Sequence, residues 1–391
     1  MTTTTNNEQK KLNVPNLRFK EFQGEWEKFK LSALCTFFSG GTPSSSNKDF
    51  YGGDIAFIRS GELHADSTEL FISQDGYDNS SAKMVEIGDL LLAMYGATSG
   101  DIAISKIKGA INQAILCIRT NQNKKFIESV WNKHVSKILR KYLQGGQGNL
   151  SADIVKGISF SFPTLEEQER IANLISLLDE RIATQNKIIE DLKKLKSAII
   201  EMEYSHMTKS ISHIGDFIEQ TSKRNKGCVI QNVLSVSNSQ GFIQQSEQFE
   251  NRIVASDNTS NYKIVEKNDF AFNPARINVG SIARLTTFEK GIVSPMYICF
   301  RAKDNLYPEY LDYYFESKHF FTEIQKRLEG SVRQCLSFDG LCNIPFCVPT
   351  VKIQQRIGKR LSALVQEIKL EFDFLGLLQK QKRFLLYQMF I

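Results

Sequence analysis

ISFSFPTLEEQERI (158–171) and IPFCVPTVKIQQRI (344–357) decide how this chain is built. Seven of the fourteen positions are identical: Ile158/Ile344, Phe160/Phe346, Pro163/Pro349, Thr164/Thr350, Gln168/Gln354, Arg170/Arg356 and Ile171/Ile357, all at an offset of 186. Matching continues upstream. KYLQGGQGNLS (141–151) parallels KRLEGSVRQCLS (326–337), VEIGDLLLAMYGATSGDIAI (85–104) parallels VEKNDFAFNPARINVGSIAR (265–284), and GAINQAILCIRT (109–120) parallels GIVSPMYICFRA (291–302). Self-similarity of this length means one structural design used twice.

Each copy has two parts. The first, about 150 residues, carries short apolar runs broken by Gly, Asn, Ser and Pro. The runs 54–59, 89–95 and 110–119 read as strands, with helical stretches at 126–143 and 308–328 between them. The second part opens at Pro163 or Pro349 and reads as one long helix. Thr164 sits at the N-cap with Glu167 three residues on, which forms a capping box; Thr350 is a cap without the acidic partner. Ile171, Ile175, Leu178, Ile182, Ile189, Leu192 and Ile199 recur at steps of three and four, skipping Gln185 and Lys196. The second helix repeats the seam as Ile357, Leu361, Leu364, Ile368, Leu375, Leu378 and Leu385, skipping Glu371 and Lys382. Such a seam favours a coiled coil in which each helix covers the other's stripe. A helix over 165–203 spans roughly 57 Å.

The expected class is therefore α+β: two mixed α/β heads in tandem, separated by two long antiparallel helices that form a coiled coil, with an internal pseudo-twofold repeat. The expected domains are 1–162 (first head), 163–206 (first helix), 207–348 (second head) and 349–391 (second helix).

Composition narrows the function. The chain has 391 residues, 41% hydrophobic and 24% charged, an ordinary globular balance. Forty-nine Lys and Arg against 43 Asp and Glu give +6, which permits a polyanionic partner. No apolar run approaches the ~20 residues of a membrane span, and MTTTTNNEQKK has no apolar signal core. Seven scattered cysteines read as reduced thiols, so a cytoplasmic protein without membrane contact is expected. Cys117 and Cys299 fall at matching repeat positions and read as core residues.

Catalytic and metal patterns are missing. There is no G-x-x-x-x-G-K-[ST] and no G-x-G-x-x-G. His64, His134, His206, His213 and His319 show no zinc spacing, and the cluster Cys335, Cys342, Cys347 fits none either. Asn273-Pro274 is followed by Ala275 and Arg276 rather than the second Pro and aromatic that an adenine methyltransferase loop needs. Glu367-x-Lys369 lies in a helical pattern and reads as solvated surface. No catalytic residue and no metal ligand is assigned.

Two diverged heads with matching helices suit bipartite recognition of something long, with DNA the leading candidate. Arg pairs with guanine edges, Asn and Gln with adenine edges, and Lys and Ser hold phosphates. In the first head the candidates are Thr42 and Lys48, Tyr51, Arg59 and Ser60, Tyr95, Thr98 and Ser99, and Gln144 and Gln147. In the second they are Lys223 and Arg224, Asn273, Arg276 and Asn278, and Arg333 and Gln334. Arg276 and Arg333 are favoured for base edges, and Lys48, Lys223 and Arg224 for phosphates.

The chain resembles the specificity (S) subunits of type I restriction–modification systems over nearly its whole length. The residues that carry the resemblance are Pro15-x-Leu17-Arg18-Phe19 with Phe22, Gly24 and Trp26; Gly40-Gly41-Thr42-Pro43 with Tyr51-Gly52-Gly53-Asp54-Ile55; and Pro163 with Glu167-Gln168 and Ile171. The second copy lacks the Gly-Gly-Thr-Pro loop and has Lys352 and Ile353 where the first has Glu166 and Glu167. The resemblance implies a non-catalytic subunit with two target recognition domains, each binding one half of a split double-stranded DNA site. It also implies two methyltransferase (modification) subunits docked on the helices, and separate restriction (translocase/nuclease) subunits. S-adenosylmethionine, ATP and magnesium would then belong to those partners. Glu167, Glu169, Arg170, Lys193 and Lys194 on the outer helix faces are the candidates for docking. The competing readings are a self-sufficient DNA-modifying enzyme with a cryptic site and a protein-binding scaffold.

Overall fold

Apolar residues at steps of three and four, with Pro-Thr just ahead, produce two long helices, Leu165–Tyr204 and Val351–Met389. The computed structural model describes residues 12–143, 149–205, 212–238, 240–245, 258–330 and 334–391. These fall into two compact units, Met1–Gln185 with Phe374–Ile391, and Asn186–Asp373. Each unit therefore holds one head, one half of the first helix and one half of the second.

In the first unit Glu27–Lys30 (β1) leads into Cys35–Ser39 (β2), Tyr51–Ile58 (β3), Phe71–Ile72 (β4) and Lys83–Val85 (β5). Leu90–Ala93 (β6), Ile102–Ile104 (β7), Gly109–Ile111 (β8), Ile115–Thr120 (β9) and Ser159–Phe162 (β10) follow. They form the four-stranded sheets β2-β9-β6-β7 and β4-β3-β8-β5, plus an antiparallel β1–β10 ladder. Lys124–Leu143 is a single helix. The expected strand 110–119 is two strands, because the Asn112 side chain accepts from the Ala114 N–H (3.0 Å) and turns the chain. Trp26, Phe126, Trp131, Phe160 and Phe162 form the main core with Ile171 and Ile175 of the first helix. Leu385 and Met389 of the second helix, with Phe390 just after it, join the same core, and Lys382 pairs with Asp179 at 2.5 Å. The two helix halves thus run antiparallel here. Asp179 also holds Lys125 (2.8 Å). Burial opposes ionisation of its carboxyl, but the hydrogen bonds and charges of the two lysines outweigh that and hold it below its ordinary range.

In the second unit the strands are Ile218–Thr221 (β11), Val233–Ser237 (β12), Gly241–Gln244 (β13) and Lys263–Glu266 (β14). Phe270–Phe272 (β15), Ile282–Arg284 (β16), Lys290–Val293 (β17) and Ile298–Ala302 (β18) complete them. The sheets β11-β18-β15-β16 and β13-β12-β17-β14 repeat the strand order of the first head. The expected helix 308–328 is two, Pro308–Tyr314 and Lys318–Gln325, because the Ser317 hydroxyl accepts from the Phe320 N–H (3.2 Å) and starts a new helix. Phe270, Phe300, Tyr310, Tyr314 and Phe346 pack with Ile199 and Tyr204 of the first helix and Ile357 and Leu361 of the second. Lys193 lies over Phe372 and Arg360 reaches Glu203 (3.7 Å), so these halves are antiparallel too. Lys196, which breaks the seam, pairs with Glu316 of the head (2.6 Å).

The seam residues are buried or half-buried in both helices, each fully buried aliphatic side chain contributing roughly 1.5–3 kcal/mol.

The repeat extends to polar detail. Gly88 (φ 89°) and Asn268 (φ 70°) occupy the same left-handed turn position, which Gly and Asn tolerate best. The next residues, Asp89 and Asp269, are buried, accept from the Glu86 and Glu266 N–H, and pair with Arg119 (2.7 Å) and Arg301 (3.0 Å). Burial opposes ionisation of both. Asp89 nevertheless lies below the ordinary carboxylate value, because the Arg119 hydrogen bond and charge, the Glu86 N–H and, least, Lys124 together outweigh burial; Asp269 lies above it, because burial, with the nearby Glu266 carboxylate, outweighs the Glu266 N–H and Arg301. Cys117 and Cys299 are fully buried, opposite Leu91 and Ala271 on equivalent strands, and burial pushes both thiols up to about 12.

Each helix start is clasped by a buried glutamine. Gln168 Nε2 donates to Pro163 O (3.0 Å) and Gln122 Oε1 (2.8 Å), while its Oε1 accepts from the Asn123 N–H (3.2 Å). Gln354 Nε2 donates to Pro349 O (2.8 Å) and Asn305 O (3.1 Å), and its Oε1 accepts from the Tyr307 N–H (2.7 Å). Both side chains are fully buried.

The docking assignment of Glu167 is corrected. Thr164 does accept from the Glu167 N–H (3.4 Å), but the Glu167 side chain is only 1% exposed. Its carboxylate takes both arms of Arg18 (2.8 Å each) and the Trp26 indole N–H (3.3 Å), so it pins the chain start to the helix rather than facing a partner.

Two stability outcomes follow. Gln168→Leu leaves the Asn123 N–H and the Pro163 carbonyl without their partner, at roughly 1–3 kcal/mol per orphaned group; a melting curve should show the midpoint several degrees lower, and a shift under one degree contradicts the clasp. Arg18→Met strands a buried carboxylate and should cost about 3–5 kcal/mol in chemical denaturation. Unchanged stability would return Glu167 to the surface.

Candidate nucleic-acid interface

Strand direction gathers the loops. In the first head β3 and β8 are parallel neighbours, with Phe57 opposite Ala110 and Ile58 opposite Ile111. Parallel strands end at one edge, so Arg59-Ser60 emerges beside Asn112-Gln113. The turn after β6 joins them, because the Met94 N–H donates to Ala114 O (2.8 Å). The second head does the same with parallel β12 and β17, where Val233 faces Ile292 and Leu234 faces Val293.

Four stretches meet at the first head's edge. A side chain at Gly40 would place its Cβ 1.7 Å from Ile111 O, and one at Gly41 2.5 Å from Ser81 Cβ; only glycine lets this loop lie against β8. Thr42, exposed, donates to Gln113 Oε1 (2.6 Å), and the Tyr51 hydroxyl holds Pro43 O (2.7 Å). His64 Nε2 lies 2.9 Å from Asp101 Oδ1, joining the loop after β3 to the turn before β7. Tyr95 is exposed on that turn, with Thr98 and Ser99 half-buried and the Ser99 hydroxyl donating to Met94 O (3.0 Å). Arg59 is exposed but bound by both oxygens of Glu62, and the Arg59 hydrogen bond outweighs burial to hold that carboxyl below its usual range. Its free donors are therefore fewer than the sequence suggests. Ser60 is half-buried. Lys48 is exposed just before β3, at the opposite end of that strand from Arg59, and is not brought to the cluster. Gln144 and Gln147 lie outside the described residues.

The second head surrounds a cavity of about 560 Å³ lined by Asn273, Arg276, Ser294, Met296, Tyr262 and Tyr297, among others. Asn273 is buried in that lining, its Oδ1 accepting from the Ala275 N–H (3.1 Å), so that one oxygen shapes the turn. Arg276 is exposed and Asn278 half-buried on that turn, which Gly280 closes at φ 89°. Exposed Lys223 and Arg224 run beside residues 261–264: Lys223 O accepts from the Ile264 N–H (2.8 Å), and Arg224 reaches Asn261 Oδ1 (2.9 Å). Gln334 is exposed, two residues before Leu336, whose N–H donates to Pro274 O (3.0 Å). Arg333 lies outside the described residues, as does its neighbour Ser331.

Asn112, Gln113, Ser294 and Met296 were missed. Their signal was a short mismatch, NQA against SPM, between well-matched flanks in the two copies.

On the helices Glu169 and Arg170 are exposed, and Arg170 stacks over Phe19. Lys193 and Lys194 are exposed, Lys194 lying 3.9 Å from Asp191. Larger exposed groups were also missed: Leu177, Ile188, Leu195 and Met202 on the first helix, and Leu370, Leu377 and Phe384 on the second. They lie off the seam, and spacings of seven (188, 195, 202; 370, 377, 384) put each set in a second apolar stripe. Among the described residues no three His, Cys, Asp or Glu side chains are grouped to hold a metal ion, and no helix is long and apolar enough to cross a membrane.

Comparison with known proteins accounts for this arrangement. The chain is 25% identical over 418 residues to the putative type I restriction enzyme MjaX specificity subunit of Methanocaldococcus jannaschii, covering 96% of this chain and 95% of that one. It is 21% identical over 408 residues to the MjaVIII specificity subunit of the same organism, covering 93% of each. Among solved structures, the S subunit of a type I restriction–modification system from M. genitalium shares the fold with a TM-score of 0.59, at 16% identity over 97% of this chain and 99% of that one. A chain from a structure describing complex assembly and conformational transition of the type I R-M system gives 0.54, at 15% identity over 92% and 96%. The family described as type I restriction modification DNA specificity domain matches residues 23–194 and again 209–373, most of the sequence. With every strand of both heads and both helix starts inside those matches, the chain belongs to the type I restriction–modification DNA specificity family.

Proposed function

We propose that this chain is the non-catalytic subunit that chooses the DNA sequence for a type I restriction–modification complex, each head reading one half of a bipartite site. The observation that carries this is the contrast inside the repeat. Framework residues agree between heads, from Asp89 and Asp269 to Gln168 and Gln354, while the loops gathered at the edge differ: Gly96 stands where the second head has Arg276, and Thr98 where it has Asn278. A shared scaffold with unlike loops is what reading two different sequences requires. Arg276 at an open polar cavity offers N–H donors suited to the O6 and N7 of guanine.

The helices are proposed to dock two methyltransferase subunits, supported by the exposed apolar stripes that solvent alone does not explain. Glu169, Arg170, Lys193 and Lys194 would then border those contacts. Methyl transfer with S-adenosylmethionine, and ATP- and magnesium-dependent translocation and cleavage, are assigned to partner modification and restriction subunits acting on cytoplasmic DNA. A net charge of only +6 suits a chain that binds DNA weakly by itself and tightly once partners add phosphate contacts.

Mapping methylated adenines with the assembled methyltransferase tests the reading. Arg276→Ala should relax one base position in one half-site, at about 1–3 kcal/mol of discrimination, and leave the other half intact. An unchanged motif removes Arg276 from base reading. Methylation by this chain alone would overturn the non-catalytic assignment.

A further inference from the structure

The turn between β17 and β18 lines the cavity of the second head. It carries Ser294 and Met296, with Met296 58% exposed. β15 and β18 are antiparallel neighbours, Phe272 opposite Ile298, so this turn stands beside the Asn273–Arg276 turn and both line the cavity. Tyr262 and Tyr297, each 8% exposed, make the aromatic part of the lining. Tyr297 is fixed twice: Lys263 Nζ donates to its carbonyl (2.6 Å), and its hydroxyl accepts from the Val236 N–H (3.4 Å). A rigid lining under an exposed, unbranched thioether suits contact with a flat, partly apolar ligand.

The lining chemistry narrows that ligand. Among the described residues Arg276 is its one charged group; the rest are amides, hydroxyls and apolar side chains. Phosphates call for several cations, whereas base edges call for this mixture of one forked donor, neutral polar groups and an apolar contact. In the major groove the apolar feature of a base edge is the 5-methyl of thymine. The first head has Ala114 where the second has Met296, and Asn112 where it has Ser294.

We propose that the β17–β18 turn is a second reading element of the second head, with Met296 packing on the 5-methyl group of a thymine beside the base met by Arg276, and Ser294 hydrogen-bonding the same base pair. This rests on the proposed function and extends it to residues outside the Arg276 turn.

The test uses the full chain assembled with its methyltransferase subunits and DNA carrying its mapped site. Met296→Ala should lower the preference for thymine at one position of one half-site by about fourfold, the worth of roughly one buried methyl group. Replacing that thymine with deoxyuridine should lower wild-type methylation by a similar factor and leave Met296→Ala unaffected. Ser294→Ala should weaken the same position. Because both side chains are at the surface of the cavity, unchanged melting midpoints are expected. If Met296→Ala keeps its full preference for thymine over uracil while Arg276→Ala relaxes its own position, the proposal fails and the function stands. A half-site without thymine next to the Arg276 position also overturns it. If neither Arg276→Ala nor Met296→Ala alters the methylated sequence, base reading by this head fails as well.

Discussion

A glutamine side chain in an apolar core is costly unless its amide finds partners on both sides, and here that requirement joins helix to head. Gln168 and Gln354 each reach back to the proline carbonyl ahead of their own helix and sideways to the segment that follows the last long strand of the head. A low local dielectric strengthens such bonds and penalises their loss. The helix start is therefore placed relative to the sheets by fixed hydrogen bonds rather than by apolar packing alone. In the first unit Glu167 adds a buried ion pair to Arg18 on the other side of the helix. In the second, Ile353 stands at that position, so the glutamine is the part of the device common to both.

With the helix start fixed, the rest of each head can be divided by what the repeat preserves. The turn at Gly88 or Asn268, the buried aspartates and the buried Cys117 and Cys299 recur because they hold strand ends and sheet interiors. The loops at the ends of β3, β8, β12 and β17 lie beyond that framework and are free to diverge. One head has a loop packed so close to β8 that it needs Gly40 and Gly41; the other has a cavity with Arg276 and Met296. Variation at the edge leaves Gln168, Gln354 and the helix seams untouched, so the edge loops can change without disturbing the framework.

The helices and the duplication were legible because they rest on periodicity and identity, which need only one chain to read. The seam residues are where the spacing of three and four puts them, and the two heads share one strand order. Polar side chains that act locally were harder to see. Asn112 and Ser317 each make a single turn or cap that splits an element expected to be continuous, a strand in one case and a helix in the other. Long-range pairing was invisible: Glu167 looks like half of a capping box, and its true partner, Arg18, is 149 positions away. At the candidate interface the sequence supplied residue types but not neighbours. Thr42 and Gln113, or Arg276 and Met296, come together only through long-range antiparallel pairing, of β2 with β9 and of β15 with β18, and Lys48, which looked equivalent, ends up at the far end of β3.

On the proposed function, each head reads its own half of the target while a common framework holds it. The most direct measurement exchanges residues 273–281 and 294–297 for the corresponding loops of a family member with a different methylated sequence, keeping both helices and both glutamine clasps. Methylated adenines are then mapped in DNA treated with the assembled methyltransferase. A new sequence is expected in one half of the site, with the other half and the spacing between them unchanged. Alteration of both halves, or of neither, would contradict it.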